Sequence, residues 1–492
     1  MDRIALIGVL SLALAVRLWA LATHTYIAFP DETFQYLEPA HRLAFGAGVI
    51  TWEFIDGIRS WLLPGAIAGV MRLVGVFSSE PGAYIGVLRL MCVVASLSVP
   101  FVGYRLAGRY GGPGAAVAAG LLCALSPQAV YFAPIVMTEP LAADLALLAI
   151  WLGDGARAHP RAAGRFLLAG ALFGLASALR YQYAPALAAV VLVQHVRDWR
   201  GCLLVAAGGV AVVLPTLGLL DAITWGAPFQ SVWLNYLRNG PQGVSGAMGT
   251  ESWSLYLEYF VVAWGALTPV LLGLLVYGAI RLPVLGVAVV CTIALHALPP
   301  HKELRFIFLA TACVPILLGI GLASALRHLP NLRRAEPVTA VLALGVALYI
   351  AISTTSSATR PDDWHRDRSM LQATAAARAY PGACGLAIRT IWVYRSGGYS
   401  YWHRDLPIYF ETWEQAQKLE QTDFRLRLDS VLSGQRVPQY PDAALAANTH
   451  RFNVMVGTRT DRFPGFTVLN CFGAGVPDDR ELCLFVRPGG CD

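Results

Sequence analysis

Two adjacent acidic residues, Asp31 and Glu32, follow the first hydrophobic run of the chain, residues 4–22. Acidic side chains beside hydrocarbon are energetically costly, and those found there commonly bind a substrate or an ion. Because Asp31 follows Pro30 where the chain leaves the apolar run, we predict that its carboxylate is a general base that accepts a hydroxyl proton. Glu32 is predicted to orient the acceptor or to bind a divalent cation. A solvated loop after a helix is the alternative interpretation.

A tryptophan, a glutamate and an arginine lie shortly after these carboxylates. Trp52, Glu53 and Arg59 fall within residues 46–60, which also contain three glycines. An aromatic face can stack on a sugar ring while charged groups bind its hydroxyls, so we predict that these residues contact a sugar or an acceptor. Anchoring of Trp52 at the membrane interface is the alternative.

Glu139 and Arg180 lie at the ends of later apolar runs. Glu139 is a candidate second acidic group of the site, although a carboxylate at a helix N-terminus is also favoured by the helix dipole. Arg180 is predicted to lie on the outer side, against the usual cytoplasmic bias of arginine. This placement favours a contact with a lipid phosphate over snorkelling of the side chain.

The strongest cationic cluster is His301-Lys302-Glu303-Leu304-Arg305-Phe306, which contains one of only two lysines in the chain. Cations between two membrane spans can hold a phosphate and neutralise the charge that grows on it as a leaving group. We therefore predict that the cations of this cluster hold a phosphate group. An interfacial loop with a local Lys–Glu pair is the alternative.

The composition predicts a polytopic membrane protein and excludes an ordinary soluble domain. Of 492 residues, 56% are hydrophobic and 14% are charged. The net charge of +6 comes almost entirely from scattered arginines, which indicates positive cytoplasmic loops rather than nucleic-acid binding. No cleavable signal peptide is evident, so the first apolar run is predicted to remain as a membrane-spanning helix.

The hydrophobic runs predict eleven membrane spans, and the Arg-rich connections orient them with the N-terminus in the cytoplasm. The predicted spans are 4–23, 82–107, 112–134, 138–153, 163–180, 184–196, 202–221, 257–280, 282–298, 304–326 and 337–356. Residues 57–77 and the amphipathic stretch 33–45 are predicted to lie flat on the outer face. The acidic and cationic motifs then all emerge on the extracytoplasmic side.

The chain is predicted to divide into a transmembrane catalytic domain, 1–356, and a polar extracytoplasmic α/β domain, 357–492. Strands are predicted at 384–388, 399–410, 453–456, 466–469 and 482–486, with a helix at 411–433. Four of the nine cysteines lie in this tail, as expected of disulfides in an oxidising compartment. Among three possible connectivities we favour Cys471–Cys483 with Cys384–Cys491.

With these residues in place, the sequence resembles glycosyltransferase family 22, the polyprenyl- or dolichyl-phosphate-mannose-dependent α-mannosyltransferases of N-glycan and glycosylphosphatidylinositol assembly. The motifs that carry the resemblance are Pro30-Asp31-Glu32-x-Phe34-Gln35, Glu38-Pro39, His41, Gly48-x-x-Thr51-Trp52-Glu53, Arg59-Ser60 and His301-Lys302-Glu303-x-Arg305-Phe306. The resemblance covers the membrane part and implies the multi-span GT-C fold.

The resemblance also implies inverting transfer of mannose from a lipid phosphate to a glycan or lipid-linked acceptor at the bilayer. It assigns Asp31 as the base and His301, Lys302 and Arg305 as donor-phosphate contacts, whereas Glu139 and Arg180 rest on looser analogy. The composition suggests a bacterial inner membrane with the site facing the periplasm, where the carrier is undecaprenyl phosphate or a similar lipid.

Three alternatives stay open from the sequence. The first is the same chemistry with another sugar, such as arabinose or glucose. The second is a transporter or flippase of lipid-linked glycans, which would be expected to have repeated halves and charges near mid-span; neither is evident. The third is an inactive relative whose tail binds a partner, against which the complete Asp-Glu and His-Lys-Glu motifs argue.

Overall fold

The computed structural model describes residues 3–156, 163–328, 336–356, 367–389, 396–411, 439–440, 449–475 and 481–491. The chain forms two compact units. The first comprises Met1–Ala22 with Arg89–Pro361, and the second comprises Thr23–Leu88 with Asp362–Asp492. The functional division into 1–356 and 357–492 stays a prediction, because residues 23–88 group with the tail by contact.

The first unit consists of helices. The longer helices are Arg3–Thr23, Pro81–Ser96 (which begins in the second unit), Ser98–Leu125, Thr138–Ala156, Ala163–Leu179, Ala184–His195, Trp199–Val213, Leu255–Trp264, Thr268–Arg281, Pro283–Ala297, Phe308–Leu326 and Glu336–Ser356. Shorter helical elements are Pro127–Tyr131, Tyr181–Tyr183, Leu214–Leu219, Leu220–Trp225, Gln230–Asn239, Val244–Ala247, Gly265–Leu267 and Leu304–Ile307.

Each of the eleven predicted spans contains a helix, and six helical segments among the described residues are long and apolar enough to cross a membrane. One of them, Pro81–Leu125, has 45 residues, about twice the length that one crossing requires. It is broken at Gly112, where φ is 78°, a conformation that glycine adopts without a Cβ clash. Pro113 then starts a new helical segment. The chain is therefore a multi-pass membrane protein, and the number of eleven crossings stays a prediction.

Glycines bring neighbouring helices into close contact, as is common between membrane helices. A Cβ at Gly170 would lie 2.0 Å from the Val205 carbonyl oxygen, and one at Gly208 would lie 2.1 Å from that of Leu167. These reciprocal contacts join helix Ala163–Leu179 to helix Trp199–Val213. Helix Phe308–Leu326 forms the centre of the unit, since nearly its whole length is buried.

The second unit combines short helices with a mixed six-stranded sheet. Its helices are Glu32–Leu37 (a π-helical turn), Glu38–Phe45, Trp52–Ile55, Leu62–Gly75, Arg368–Ala379, Gly398–Trp402 and the short turn Thr449–Arg451. Its strands are β1 (Leu386–Ile388), β2 (Ile408–Glu411), β3 (Gln439–Tyr440), β4 (Val454–Thr458), β5 (Thr467–Phe472) and β6 (Leu482–Val486). The order is β3-β2-β1-β4-β6-β5. Strands β1 to β4 pair in parallel, whereas β6 is antiparallel to β4 and β5.

Most of the predicted strands are confirmed, with shifted ends. The predicted strand 399–410 is wrong in its first half, where the chain forms the helix Gly398–Trp402 and then a left-handed turn at His403, whose φ is 45°. Sequence reasoning also missed helix Arg368–Ala379. The stretch 33–45 is helical as predicted, and its position flat on the membrane stays a prediction. The predicted helix 411–433 lies almost entirely outside the described residues.

Two disulfides join the four tail cysteines in the predicted connectivity. Cys471 on β5 and Cys483 on β6 are directly paired in the antiparallel register, with 4.0 Å between their Cα atoms. Cys384, just before β1, is bonded to Cys491, and their Cα atoms are 5.7 Å apart. The other five cysteines are free thiols.

We expect the two disulfides to differ in their contribution to stability. Cys384–Cys491 closes a separation of 107 residues and Cys471–Cys483 one of 12. In the chain-entropy account, the longer loop contributes about 4.7 kcal/mol and the shorter about 3 kcal/mol to the free energy of unfolding. Chemical denaturation of the paired Cys→Ala variants measures this difference. Equal losses of stability in the two variants, or a larger loss on removal of Cys471–Cys483, would show that native-state contacts rather than loop closure determine these contributions.

Candidate active site

The acidic pair lies at the start of a helical segment in the second unit. Asp31 has helical backbone angles and precedes the π-helical turn Glu32–Leu37. Its side chain is half-buried, whereas Glu32 is 1% exposed. The Nε2 atom of His24 lies 3.9 Å from Glu32 Oε2. Asp31 is therefore the more accessible of the two carboxylates, as a base that must reach a hydroxyl requires.

Glu53 organises the residues around the acidic pair. Its Oε1 atom accepts hydrogen bonds from Gln35 Nε2 and Arg59 Nη2, each at 2.9 Å. Its Oε2 atom accepts a bond from the Thr51 hydroxyl at 3.1 Å. Glu53 and Trp52 are each 7% exposed. These two residues pack and position their neighbours, and direct contact of either with a sugar stays a prediction.

Arg59 carries a firmly held positive charge near Asp31. Burial alone would lower the pKa of Arg59, but the negative charges of Glu53 and Asp31 raise it above its usual value. Asp31 thus lies in the electrostatic field of a guanidinium that Glu53 fixes in position. The sequence placed Asp31, Glu53 and Arg59 in one motif region, and the structure brings them together.

Glu38 joins the N-terminal part of this unit to the tail, a contact that the sequence did not reveal. One carboxylate oxygen accepts a hydrogen bond from Val49 N at 2.8 Å. The other accepts bonds from the backbone N and the hydroxyl of Ser400, at 2.6 and 2.5 Å. Gly398 is required beside it, because a Cβ there would lie 2.4 Å from the Glu38 carboxyl carbon. The sequence signals were that Glu38 follows the acidic motif and belongs to the Glu38-Pro39 pair of the family resemblance.

Glu38 should give the second unit a specific pH dependence. Burial raises its pKa to about 7, although the bonds from Ser400 and Val49 oppose the rise. The contribution of Glu38 to the free energy of unfolding is therefore fully present below pH 4.5, and it is lost as the pH rises through 7. Relative to Glu38→Gln, we expect the wild type to lose about 3 kcal/mol of stability across this window. Thermal unfolding of both proteins from pH 4 to 8 measures the difference.

The contribution of His41 to stability depends on pH in the opposite direction to that of Glu38. Burial lowers the pKa of His41 to about 4, so its stabilising contribution is present above pH 6.5 and is lost as the pH falls through 4. The stability of the wild type depends on pH through both Glu38 and His41. Comparison with Glu38→Gln is therefore needed to isolate the contribution of Glu38. Glu80→Gln is the matched control, because Glu80 is exposed and bonded to Arg378. A pH-independent difference between wild type and Glu38→Gln would contradict the assignment.

The cationic cluster is built around Glu139 in the first unit. Glu139 is 1% exposed, and its Oε1 atom lies 3.1 Å from Arg180 Nη1 and 3.9 Å from Arg305 Nε. Thr138 donates a hydrogen bond to its other oxygen at 3.2 Å. Both guanidiniums also lie over the ring of Phe306, at 4.9 and 5.3 Å from its centroid. The predicted residues Glu139, Arg180 and Arg305 therefore form one cluster.

Glu303 holds Arg305 in a two-pronged ion pair. Arg305 Nε and Nη2 each donate to a different Glu303 oxygen at 2.8 Å. His301 Nε2 lies 3.1 Å from Glu303 Oε1, and this bond raises the pKa of His301. Although burial would raise the pKa of Glu303, Arg305 and His301 hold it at about 2. The sequence suggested Glu303 only as the partner of a local Lys–Glu pair, whereas the structure pairs it with Arg305 and His301.

Lys302 differs from its neighbours in the cluster. Its Nζ atom donates to the carbonyl oxygens of Pro299, Glu251 and Pro300, at 2.7, 3.0 and 3.4 Å. An ammonium has three donors, so all of them are engaged by backbone. Lys302 thus fixes the loop on which His301 and Arg305 lie, and a direct phosphate contact stays a prediction for it.

The geometry of the cationic cluster suits an anion that replaces the Glu303 carboxylate as the partner of Arg305. Arginine forks match carboxylates and phosphates equally well, and the side chain of Glu303 is 29% exposed, against 6% for Arg305. Within the described part of the chain, no group of three or more His, Cys, Asp or Glu side chains could hold a metal ion.

A family model described as the Alg9-like mannosyltransferase family matches residues 9–377. The chain belongs to this family. A GPI mannosyltransferase 3 from Yarrowia lipolytica is 30% identical over 324 residues, which cover 63% of this chain and 60% of that protein. A GPI alpha-1,2-mannosyltransferase 3 from Mus musculus is 25% identical over 62% of this chain and 56% of that protein. The chain thus spans about three fifths of the length of these curated relatives.

Solved structures confirm the GT-C fold. ArnT from Cupriavidus metallidurans bound to undecaprenyl phosphate aligns with a TM-score of 0.65 and 14% identity, over 99% of this chain and 98% of that one. The Archaeoglobus fulgidus oligosaccharyltransferase aligns with a TM-score of 0.53 and 13% identity, over 92% of this chain and 67% of that one. At these identities the likeness concerns the fold, and the Alg9-like family assignment rests on the sequence matches.

Proposed function

We propose that this member of the Alg9-like family transfers a mannosyl residue, with inversion, from a polyprenyl-phosphate-linked donor to a glycan or glycolipid acceptor. The observation that carries the proposal is the family match over residues 9–377, which contain all ten predicted site residues. The relatives named GPI mannosyltransferase 3 support mannose as the sugar and a glycolipid as the acceptor. The neighbour bound to undecaprenyl phosphate supports a polyprenyl-phosphate carrier.

Each cluster has a separate role in the proposed reaction. Asp31 accepts the proton of the acceptor hydroxyl as that oxygen attacks the anomeric carbon. Arg305 and Arg180 contact the donor phosphate, which gains negative charge as its bond to the sugar breaks. Glu303 keeps the Arg305 fork oriented until the phosphate takes its place. Inversion follows because one in-line displacement occurs at the anomeric carbon.

The next part of the proposal concerns the side of the membrane on which the site lies. We propose that the site faces the non-cytoplasmic side, as the distribution of arginine-rich loops suggests. The relatives described above are eukaryotic, so the expectation of a bacterial inner membrane has no support from them. A transporter or flippase is not favoured, because the Alg9-like family is one of transferases.

The test is transfer in a purified system. The protein is reconstituted in liposomes with polyprenyl-phosphate mannose and mannosylated glycolipids, and the products are identified by mass spectrometry. A mass gain of one hexose, removable by an α-mannosidase, is expected. Donors that carry glucose or arabinose are run in parallel to test the other sugars. Transfer from one of these donors and not from the mannose donor would refute the proposed sugar, and no transfer from any donor would refute the activity.

A further inference from the structure

A cavity of about 340 Å³ lies in the second unit, apart from the carboxylate cluster around Asp31. Its volume is at the lower end of the roughly 300–1,000 Å³ typical of small-molecule sites. Its lining includes Arg42, Gly48, Tyr399, Asp405, Leu406 and Arg451. Neither cluster described above uses this cavity.

The walls of the cavity are held by hydrogen bonds, so the site is preformed. Glu38 ties Ser400 and Val49 together. The Trp402 indole donates to the Leu406 carbonyl oxygen at 3.2 Å, which fixes the turn that carries Asp405. The Tyr399 hydroxyl accepts a bond from Ile408 N at 3.3 Å. Binding to such a cavity requires little ordering of the protein.

The charges at the cavity are available to a ligand. Asp405 and Arg451 are exposed, and neither has an ion pair within the described residues. Arg42 is half-buried and donates to the Gly48 carbonyl oxygen at 3.3 Å. Arginine forks recognise phosphates and carboxylates, whereas a carboxylate accepts hydrogen bonds from sugar hydroxyls. Two arginines and one aspartate therefore fit a ligand that is both anionic and hydroxylated.

A short loop connects this cavity to the carboxylate cluster. Gly48 packs against helix Glu38–Phe45 so closely that a Cβ would lie 2.3 Å from the Glu38 carbonyl oxygen. Three residues later, the Thr51 hydroxyl bonds to Glu53, which holds Arg59 near Asp31. Three residues span at most about 10 Å. A ligand of two or three sugar units is long enough to extend along such a loop.

We propose that this cavity binds a sugar-phosphate group of the acceptor and so positions the acceptor's hydroxyl for Asp31. The proposal rests on the proposed function and extends it to the chemistry of the acceptor. Arg42 and Arg451 bind the phosphate, and Asp405 accepts hydrogen bonds from sugar hydroxyls. The same contacts exist in the ground state and the transition state, so they act on acceptor affinity rather than on turnover.

The first experiment measures steady-state transfer for Arg451→Ala and Asp405→Asn, with Arg459→Ala as the control. Arg459 is an exposed arginine of the same unit that does not line the cavity and is paired with Glu481. Because Arg451 and Asp405 are exposed, both variants should fold. We expect Arg451→Ala to raise the KM for a phosphorylated acceptor about tenfold, with kcat and the donor KM unchanged. A raised donor KM would mean that the arginines hold the donor phosphate, which would overturn the proposal.

The second experiment uses binding alone, so it does not depend on activity. Mannose 6-phosphate, mannose and inorganic phosphate are titrated against the full-length protein in detergent and followed by ligand-observed NMR. We expect mannose 6-phosphate to bind more tightly than either fragment, and Arg451→Ala to abolish the difference. Equal binding to wild type and Arg451→Ala would overturn the cavity assignment even if transfer is active. Selective binding without any transfer would instead overturn the proposed function alone.

Discussion

The Asp31→Asn variant is expected to fold and bind the donor normally while its turnover falls about 10²–10⁴-fold, the range for loss of acid–base help. Asparagine has the size of aspartate but cannot accept the hydroxyl proton. Asp31 is half-buried at the start of a helical segment, and Glu53 holds Arg59 independently of it. The substitution therefore removes the base without removing a structural contact of Glu53. Steady-state transfer and donor binding are measured on the same preparation.

Asp56→Asn is the matched control for this prediction. Asp56 ends the short helix Trp52–Ile55 in the same unit, and it has no assigned role in proton transfer. Its turnover should stay within a few-fold of the wild type. A folded Asp31→Asn protein with turnover near that of Asp56→Asn would exclude Asp31 as the base. Glu32 would then be the remaining acidic candidate of the motif, although it is 1% exposed.

The Arg305→Ala variant is expected to lose donor affinity and turnover together, each by about ten- to a hundredfold. Loss of a hydrogen bond to a charged group is worth roughly 1.5–3 kcal/mol. The contact strengthens as the phosphate gains charge, so kcat falls as well as donor affinity. Arg305→Lys should restore only part of the activity, because an ammonium cannot form the two-pronged bond that Arg305 makes with Glu303. Lys302→Ala should have a smaller effect on donor affinity, since its ammonium bonds to backbone carbonyls.

A double-mutant cycle separates donor binding from structural support in the Arg305 prediction. Arg305 also neutralises Glu303, so its removal leaves a partly buried carboxylate without its main partner. In the Glu303→Gln background that carboxylate is absent. If Arg305 binds the donor phosphate, Arg305→Ala should still weaken donor binding in this background. If the loss disappears there, Arg305 serves only to hold Glu303, and the donor-phosphate role is refuted.

Local sequence patterns predicted the class of protein, most helices and the composition of both clusters. The long apolar runs required helices because an unpaired backbone is too costly in lipid. The short apolar runs at 453–456 and 482–486 predicted β4 and β6. The motifs predicted functional roles for Asp31 and Arg305 because charged side chains are unusual beside apolar membrane spans. The tail cysteines limited the disulfides to three connectivities, of which the favoured one occurs.

Only the tertiary structure decided which charged groups are paired and which remain accessible. The bond from Ser400 to Glu38 joins residues 362 positions apart, and no local pattern encodes such a partner. Lys302 and Arg305 look equivalent in the sequence, yet Lys302 bonds to carbonyls while Arg305 bonds to a carboxylate. Likewise, Asp31 and Glu32 are neighbours that differ in burial. Residue type fixes what a group can bind, but burial and the choice of partner depend on segments that are distant in the chain and meet only in the folded protein.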